Sequence, residues 1–153
     1  MSTRGTLVAA SRSTSGRPIE LVAAIVAVGF LLVGIAGFVP GITTHYGDLS
    51  FAGHDSSAKL LAVFQVSVLH NLIHLGFGVA GLAISRTVSG ARRYLIGGGI
   101  VYAAVWIYGV AIDLRSDANF IPVNTADNWL HFVFAASMIV LGVALGRRAT
   151  RSG

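Results

Sequence analysis

The sequence predicts an all-α membrane protein, a bundle of four transmembrane helices that run up-down-up-down. Hydrophobic residues make up 54% of the 153 residues and charged residues only 11%, whereas about a quarter of a soluble domain is charged. The apolar residues lie in four long runs, and the basic residues lie in clusters between them. There is too little charge to cover a water-facing surface, so most of the chain is expected to face lipid.

Each of the four runs has roughly the 20 mostly apolar residues that a helix needs to cross the ~30 Å hydrocarbon core of a bilayer. The first run is expected to end before Pro40, and Ser56 or Ser57 is the expected N-cap of the second. The first run is longer than the roughly 7–15-residue core of a signal peptide, so it is expected to be retained. The predicted transmembrane domain is 19–146, with spans at 19–39, 60–84, 94–112 and 129–145, a disordered cytoplasmic tail at 1–18 and a cytoplasmic tail at 147–153.

The basic residues predict the orientation of these spans. Nine of the eleven Lys and Arg residues fall in the two tails and in the short loop between the second and third spans, and the other two loops hold only Lys59 and Arg115. Short loops rich in Lys and Arg stay in the cytoplasm. The sequence therefore predicts a multi-pass protein of the cell (plasma) membrane with both termini cytoplasmic. The nine residues are Arg4, Arg12, Arg17, Arg86, Arg92, Arg93, Arg147, Arg148 and Arg151.

Composition also limits the partners of the chain. A sequence pI near 10.5 is typical of nucleic-acid-binding proteins, but these basic clusters lie between apolar runs, so no nucleic acid is expected. The absence of cysteine excludes disulfides, thiolate metal sites and cysteine nucleophiles. The 19 glycines predict close helix packing in lipid, with self-association through glycine-rich faces or contact with another membrane protein as alternatives.

Polar side chains inside a span are costly and mark functional candidates. The second predicted span carries Gln65, Ser67, His70, Asn71 and His74. His70 and His74 are four residues apart and share a helical face, which residue counting places near the bilayer midplane. The alternative interpretation is a set of interhelical hydrogen bonds that fixes the register of the bundle.

A second polar cluster is expected at the extracytoplasmic mouth of the bundle, where it could bind a cation. The segment that starts at Asn124 also resembles a reciprocal helix cap, which gives Asp127 a structural alternative. The members of the cluster are Asp113, Asp127, Asn128 and His131, with the loop residues His45 and His54 as possible additions.

Two histidines one turn apart can share a metal ion, but zinc needs further ligands, and the spans offer only His131 and carboxylates near the outer face. At ~1.5 Å per residue His131 is expected roughly 10 Å shallower than His70, which counts against a haem held between them. A proton relay through His70 and His74 lacks a mid-membrane carboxylate. The metal ligands, if there are any, are therefore expected to be His70, His74 and His131.

The same residues carry a resemblance to a known family. The segments 39–44, 69–75 and 122–131 contain the motifs H-N-x-x-H and D-N-x-L-H. They resemble the actinobacterial membrane proteins of domain-of-unknown-function family 4383, over roughly 19–146. The resemblance implies a four-span plasma-membrane protein of such a bacterium, and it implies no activity.

Two functions of different classes stay open at this point. One is a non-enzymatic accessory or scaffold membrane protein whose polar cluster organises the bundle. The other is a metal-, haem- or ion-binding membrane protein of redox or transport type. No catalytic residue and no cofactor is assigned, because no serine lies in a nucleophile motif and the acidic residues lie near the membrane edges.

Overall fold

A computed structural model describes residues 17–151, which form four helices and one small antiparallel sheet of order β1-β2-β3. The expectation of a purely α-helical protein is therefore wrong in one detail, the sheet. Most of the predicted tail at 1–18 lies outside the described residues. The helices are α1 (Arg17–Ala36), α2 (Val68–Ile84), α3 (Val88–Ala111) and α4 (Thr125–Arg151), and the strands are β1 (Thr43–Thr44), β2 (Lys59–Leu60) and β3 (Phe64–Gln65).

The second predicted span starts too early, because residues 60–67 are not helical. Leu61 and Ala62 have positive φ angles of 53° and 60° and turn the chain from β2 into β3. Helix α2 begins only after Ser67, whose hydroxyl accepts a hydrogen bond from the His70 N–H at 3.1 Å. Ser56, an expected N-cap, instead donates to the Val66 carbonyl at 2.6 Å. Gln65 and Ser67 therefore precede the helix rather than lying within it.

Helix α1 ends at Ala36, three residues before the predicted end of the first span, whereas α3 and α4 are longer than predicted. Helix α3 begins at Val88, after a Thr87 side chain that accepts from the Gly90 N–H at 3.1 Å. Helix α4 begins at Thr125, and the reciprocal cap expected there is confirmed. The Asp127 N–H donates to Asn124 Oδ1 at 3.0 Å, and the Asn124 N–H donates to Asp127 Oδ2 at 2.8 Å. Helix α4 also continues through most of the predicted C-terminal tail, as far as residue 151.

Glycines bring the helices into close contact, as expected. Helix α1 packs mainly on α2, and α3 mainly on α4. A Cβ built on Gly78 would lie 2.8 Å from the Ala27 carbonyl oxygen, and one on Gly99 would lie 3.0 Å from that of Ala135. Such approaches leave no room for a side chain. Most helical glycines in the described region thus lie in close contact with a neighbouring part of the bundle.

The outward faces of the helices are apolar. Large side chains such as Leu21, Leu32 and Val140 are more than half exposed, which would be unfavourable in water. The segments Pro18–Ala36, Val88–Ala111 and Thr125–Ala149 are long and apolar enough to cross a membrane, and α2 is a shorter apolar helix of 17 residues. The described region therefore has the build of a membrane-embedded helical protein.

Candidate metal centre

Three buried histidines come together where α2 faces α4. One ring nitrogen from each of His70, His74 and His131 lies within 4.8 Å of the others. Their residues are 4%, 8% and 4% exposed. Among the described residues, this is the one cluster of three or more metal-ligating side chains with such spacing. The three histidines were the expected metal ligands, and the fold places them together.

The depth difference expected between His70 and His131 is wrong. It assumed that α2 starts near residue 60, but the helix starts at Val68, so His70 is in its first turn. His74 is the seventh residue of α2, and His131 is the seventh residue of α4. The cluster therefore lies near the start of both helices, on the side of the sheet, and not halfway along the bundle.

A backbone carbonyl orients the first histidine. His70 Nδ1 lies 3.0 Å from the Pro122 carbonyl oxygen. A carbonyl can only accept, so Nδ1 carries the hydrogen and the Nε2 lone pair is left for another partner. Metal-bound histidines are commonly held in this way by a second hydrogen bond. By contrast, Nδ1 of His74 and Nδ1 of His131 are buried and have no hydrogen-bond partner within the described residues.

All four helices supply the walls around the cluster. The Phe30 ring of α1 stacks on His74 with centroids 5.8 Å apart, and the Tyr102 ring of α3 meets His131 edge-on at 5.3 Å. A cavity of about 190 Å³ on one side and one of about 100 Å³ on the other are both lined by the three histidines and mostly by apolar side chains. The larger cavity also includes Asp127 in its lining.

Two other polar candidates of the second predicted span, Gln65 and Asn71, lie outside the histidine cluster. The Gln65 side chain donates to the His54 and Ser56 carbonyls, outside the cluster. Asn71 is fully buried against Gly37, and both polar atoms of its amide lack a partner in the described region.

The expected cluster at the mouth divides into separate sites. Asp127 belongs to the helix cap, and Asn128 donates to the Gly109 carbonyl at 2.9 Å. Asp113 is exposed and accepts from the Arg115 N–H in the turn after α3. His45 and His54 line a different, open pocket. The fold therefore brings Asp127 and His131 to one cavity and leaves Asp113, His45 and His54 outside it.

Sequence reasoning missed two residues that surround the histidines, Phe30 and Pro122. Phe30 is an ordinary aromatic residue in an apolar helix, and Pro122 lies in a loop 52 residues from the histidine that it orients. Periodicity carries no signal for such distant contacts.

The comparisons with known proteins agree with the resemblance drawn from the motifs. The model of a family described as a domain of unknown function (DUF4383) matches residues 20–144. The chain therefore belongs to this family. No curated protein and no solved structure matches it.

Proposed function

We propose that this member of the family is a membrane-embedded protein that binds a transition-metal ion through His70, His74 and His131. The observation that supports this proposal most directly is the convergence of three ring nitrogens within 4.8 Å. Imidazole is a good ligand for zinc, copper, iron and nickel. Three histidines with one open position form a donor set that is used by catalytic zinc sites.

The spacing fits a metal ion after small side-chain rotations. Nitrogens about 2.0–2.1 Å from a tetrahedral zinc ion lie about 3.3–3.4 Å apart. Here they lie within 4.8 Å of one another, so they need to approach by at most about 1.5 Å. The bond from His70 to the Pro122 carbonyl already selects the tautomer with a free Nε2. One ligand is thus held in a binding-competent state by the fold itself.

The unpaired ring atoms favour metal binding over the scaffold interpretation. If the histidines served to fix helix register, their nitrogens would be expected to pair across the interface, because buried polar atoms are nearly always hydrogen-bonded. Instead, Nδ1 of His74 and Nδ1 of His131 have no such partner in the described region. A haem is not proposed, because the adjoining cavities of about 190 and 100 Å³ are smaller than the roughly 300–1,000 Å³ of pockets for larger ligands.

Metal analysis of the detergent-purified protein tests the proposal. After incubation with Zn²⁺, Cu²⁺, Co²⁺ or Ni²⁺ in turn and removal of free ions, the wild type should retain about one equivalent of one of them. The double variant His74→Gln/His131→Gln should retain none and keep its helix content, since an interhelical hydrogen bond in a membrane protein contributes only about 1 kcal/mol or less.

The matched control replaces two histidines outside the cluster. His45→Gln/His54→Gln should bind metal like the wild type, because both residues line a separate pocket. A wild type that binds no metal would overturn the proposal. If that preparation also co-purified with another membrane protein, the accessory or scaffold function would take its place.

We also propose that the protein crosses the cell membrane four times and has both termini in the cytoplasm. It is supported by the arginine clusters at one end of the bundle and by the length of α2, which at 17 residues is at the lower end of the roughly 17–25 that can span a bilayer. Reporter fusions after Arg151 should then be cytoplasmic, and fusions near Asp48 and Asp117 extracytoplasmic. An extracytoplasmic C-terminus would contradict the four-span arrangement.

A further inference from the structure

The two histidine motifs occupy the same places in two helices. Asn71 and Asn128 are 57 positions apart, and so are His74 and His131. The agreement extends along both helices, because each of the five buried residues of α2 has a buried counterpart at this distance in α4. The pairs are His70 and Asp127, Asn71 and Asn128, His74 and His131, Gly78 and Ala135, and Gly81 and Met138.

A partial correspondence links α1 and the residue after it to α3, at a distance of 72 positions, with buried Gly34 as an exception because its counterpart Trp106 is half-buried. Ring contacts follow the correspondence, since Phe30 faces His74 while its counterpart Tyr102 faces His131. Phe30 and Tyr102 also contact each other, with centroids 5.1 Å apart. The buried pairs are Ile19 and Ala91, Ala23 and Leu95, Ala27 and Gly99, Phe30 and Tyr102, and Gly37 and Gly109.

The polar contacts at the helix starts are equivalent as well. Ser67 caps α2 by accepting the His70 N–H, and its counterpart Asn124 caps α4 by accepting the Asp127 N–H. Each half also bonds to the loop of the other half. The His70 ring bonds to the backbone of Pro122 at 3.0 Å, and the Asp127 carboxylate bonds to the backbone of Gln65 at 3.0 Å.

The two backbone partners, Gln65 in β3 and Pro122 in the loop before α4, are again 57 positions apart. Reciprocal contacts of this kind arise when two copies of one unit face each other across a two-fold axis. The unit here is a helical hairpin, α1 with α2 and α3 with α4.

We infer that the chain consists of two repeats of this hairpin, and that Asp127, the counterpart of His70, is the fourth donor of the metal site. This inference rests on the metal-binding function proposed above. It makes the site a three-histidine, one-carboxylate site for a divalent cation, with His74 and His131 as equivalent ligands.

Asp127 lies beside the three-histidine cluster and not within its 4.8 Å spacing, and three observations support its role as a further donor. It lines the same cavity of about 190 Å³ as the three histidines. Its residue is only 2% exposed, and no Lys or Arg side chain among the described residues forms a salt bridge with it. Both hydrogen bonds to its carboxylate end on Oδ2, which leaves Oδ1 for a ligand. A buried carboxylate requires a compensating cation or a proton.

The backbone groups of Gln65 and Pro122 explain why one repeat has histidine and the other aspartate at this position. Proline has no N–H, so Pro122 offers only a carbonyl, and the side chain that faces it must donate. Gln65 offers an N–H, and the side chain that faces it must accept. The same position is therefore filled by a donor in one half and by an acceptor in the other.

Metal titration of Asp127→Asn tests the inference, because asparagine keeps an acceptor for the cap but loses the anionic donor. We expect its Zn²⁺ affinity to fall about 100-fold, while its Cu⁺ affinity, for which three imidazoles suffice, changes less than about tenfold. The control Asn124→Ala disrupts the cap without removing a donor, so it should lower the melting temperature and leave Zn²⁺ affinity within about threefold.

The equivalent ligands provide a second measurement. His74→Ala and His131→Ala should weaken Zn²⁺ binding to the same extent, within about tenfold, if the repeats contribute equally. Zn²⁺ binding by Asp127→Asn within about threefold of the wild type would overturn the role of Asp127, and a loss confined to one histidine would overturn the equivalence. A wild type that binds no metal would instead refute the proposed function.

Discussion

The two ends of the bundle use different kinds of packing. The histidine end, where α2 and α4 begin, contains the buried side-chain atoms that lack a hydrogen-bond partner in the described region: Asn71 Nδ2 and Oδ1, His74 Nδ1, Asn128 Oδ1 and His131 Nδ1. Glycines pack closely at both ends. At the histidine end Gly37 and Gly109 lie against the Asn71 and Asn128 amides, and toward the arginine end, where α2 and α4 finish, Gly78 lies against Leu31 and Gly142 against Leu95. Since buried polar atoms without partners cost stability, we expect the histidine end to contribute less stability than the apolar contacts toward the arginine end.

The largest effect is expected from filling a close contact toward the arginine end. Gly78→Leu should lower the free energy of unfolding by about 3 kcal/mol or more, because overpacking forces backbone shifts where a Cβ would lie 2.8 Å from the Ala27 carbonyl oxygen. Gly76→Leu is the control, since nothing lies within 4 Å of its Cβ position. Unfolding in detergent, followed by circular dichroism, compares them. Equal stability of the two variants would contradict the assignment of stability to this end.

A smaller effect of opposite sign is expected at the histidine end. Asn71→Leu should raise the free energy of unfolding by about 1–3 kcal/mol, because it removes a buried amide without partners. The control is Asn119→Leu, at another fully buried asparagine. The Asn119 side chain bonds to Leu114 and Val123, so its replacement should destabilise the protein. If Asn71→Leu is also destabilising, the Asn71 amide has a partner and the comparison fails there.

The smallest effect is expected from removing a helix N-cap. Each end of the bundle has one helix that is capped by a side-chain hydroxyl. Ser67→Ala at the start of α2 and Thr87→Ala at the start of α3 should each cost about 1 kcal/mol, the usual loss for an N-cap. Both hydroxyls accept a backbone N–H at 3.1 Å. Thermal melts of the metal-free variants should therefore agree closely. A much larger cost for Ser67→Ala would show that the cap also supports the histidines.

The helical fold was largely predictable, because long apolar runs and clustered arginines are local signals. The residue at which α2 starts could not be predicted in this way. Leu60 to Val66 is a short apolar run that suits a strand or a helix equally well, and the choice depends on a turn at Leu61 and Ala62 and on pairing with Thr43. Pairing partners that are distant in the chain leave no periodic pattern.

The identity of the candidate ligands was predictable, and their arrangement was not. His70, His74 and His131 stood out because imidazoles are costly in apolar helices. Their depth was wrong because it was counted from the wrong helix start. The contacts of His70 with Pro122 and of Asp127 with Gln65 join segments that only the folded chain brings together.

The contact of His70 with Pro122 also limits how the sequence can change. Any residue at position 122 still has a carbonyl oxygen, so replacing Pro122 leaves the acceptor of the His70 bond in place. An acidic residue at position 70 would set oxygen against oxygen and lose that bond. Position 122 can therefore change to another residue while His70 keeps its hydrogen bond. An acidic residue at position 70 would instead need an opposing backbone N–H.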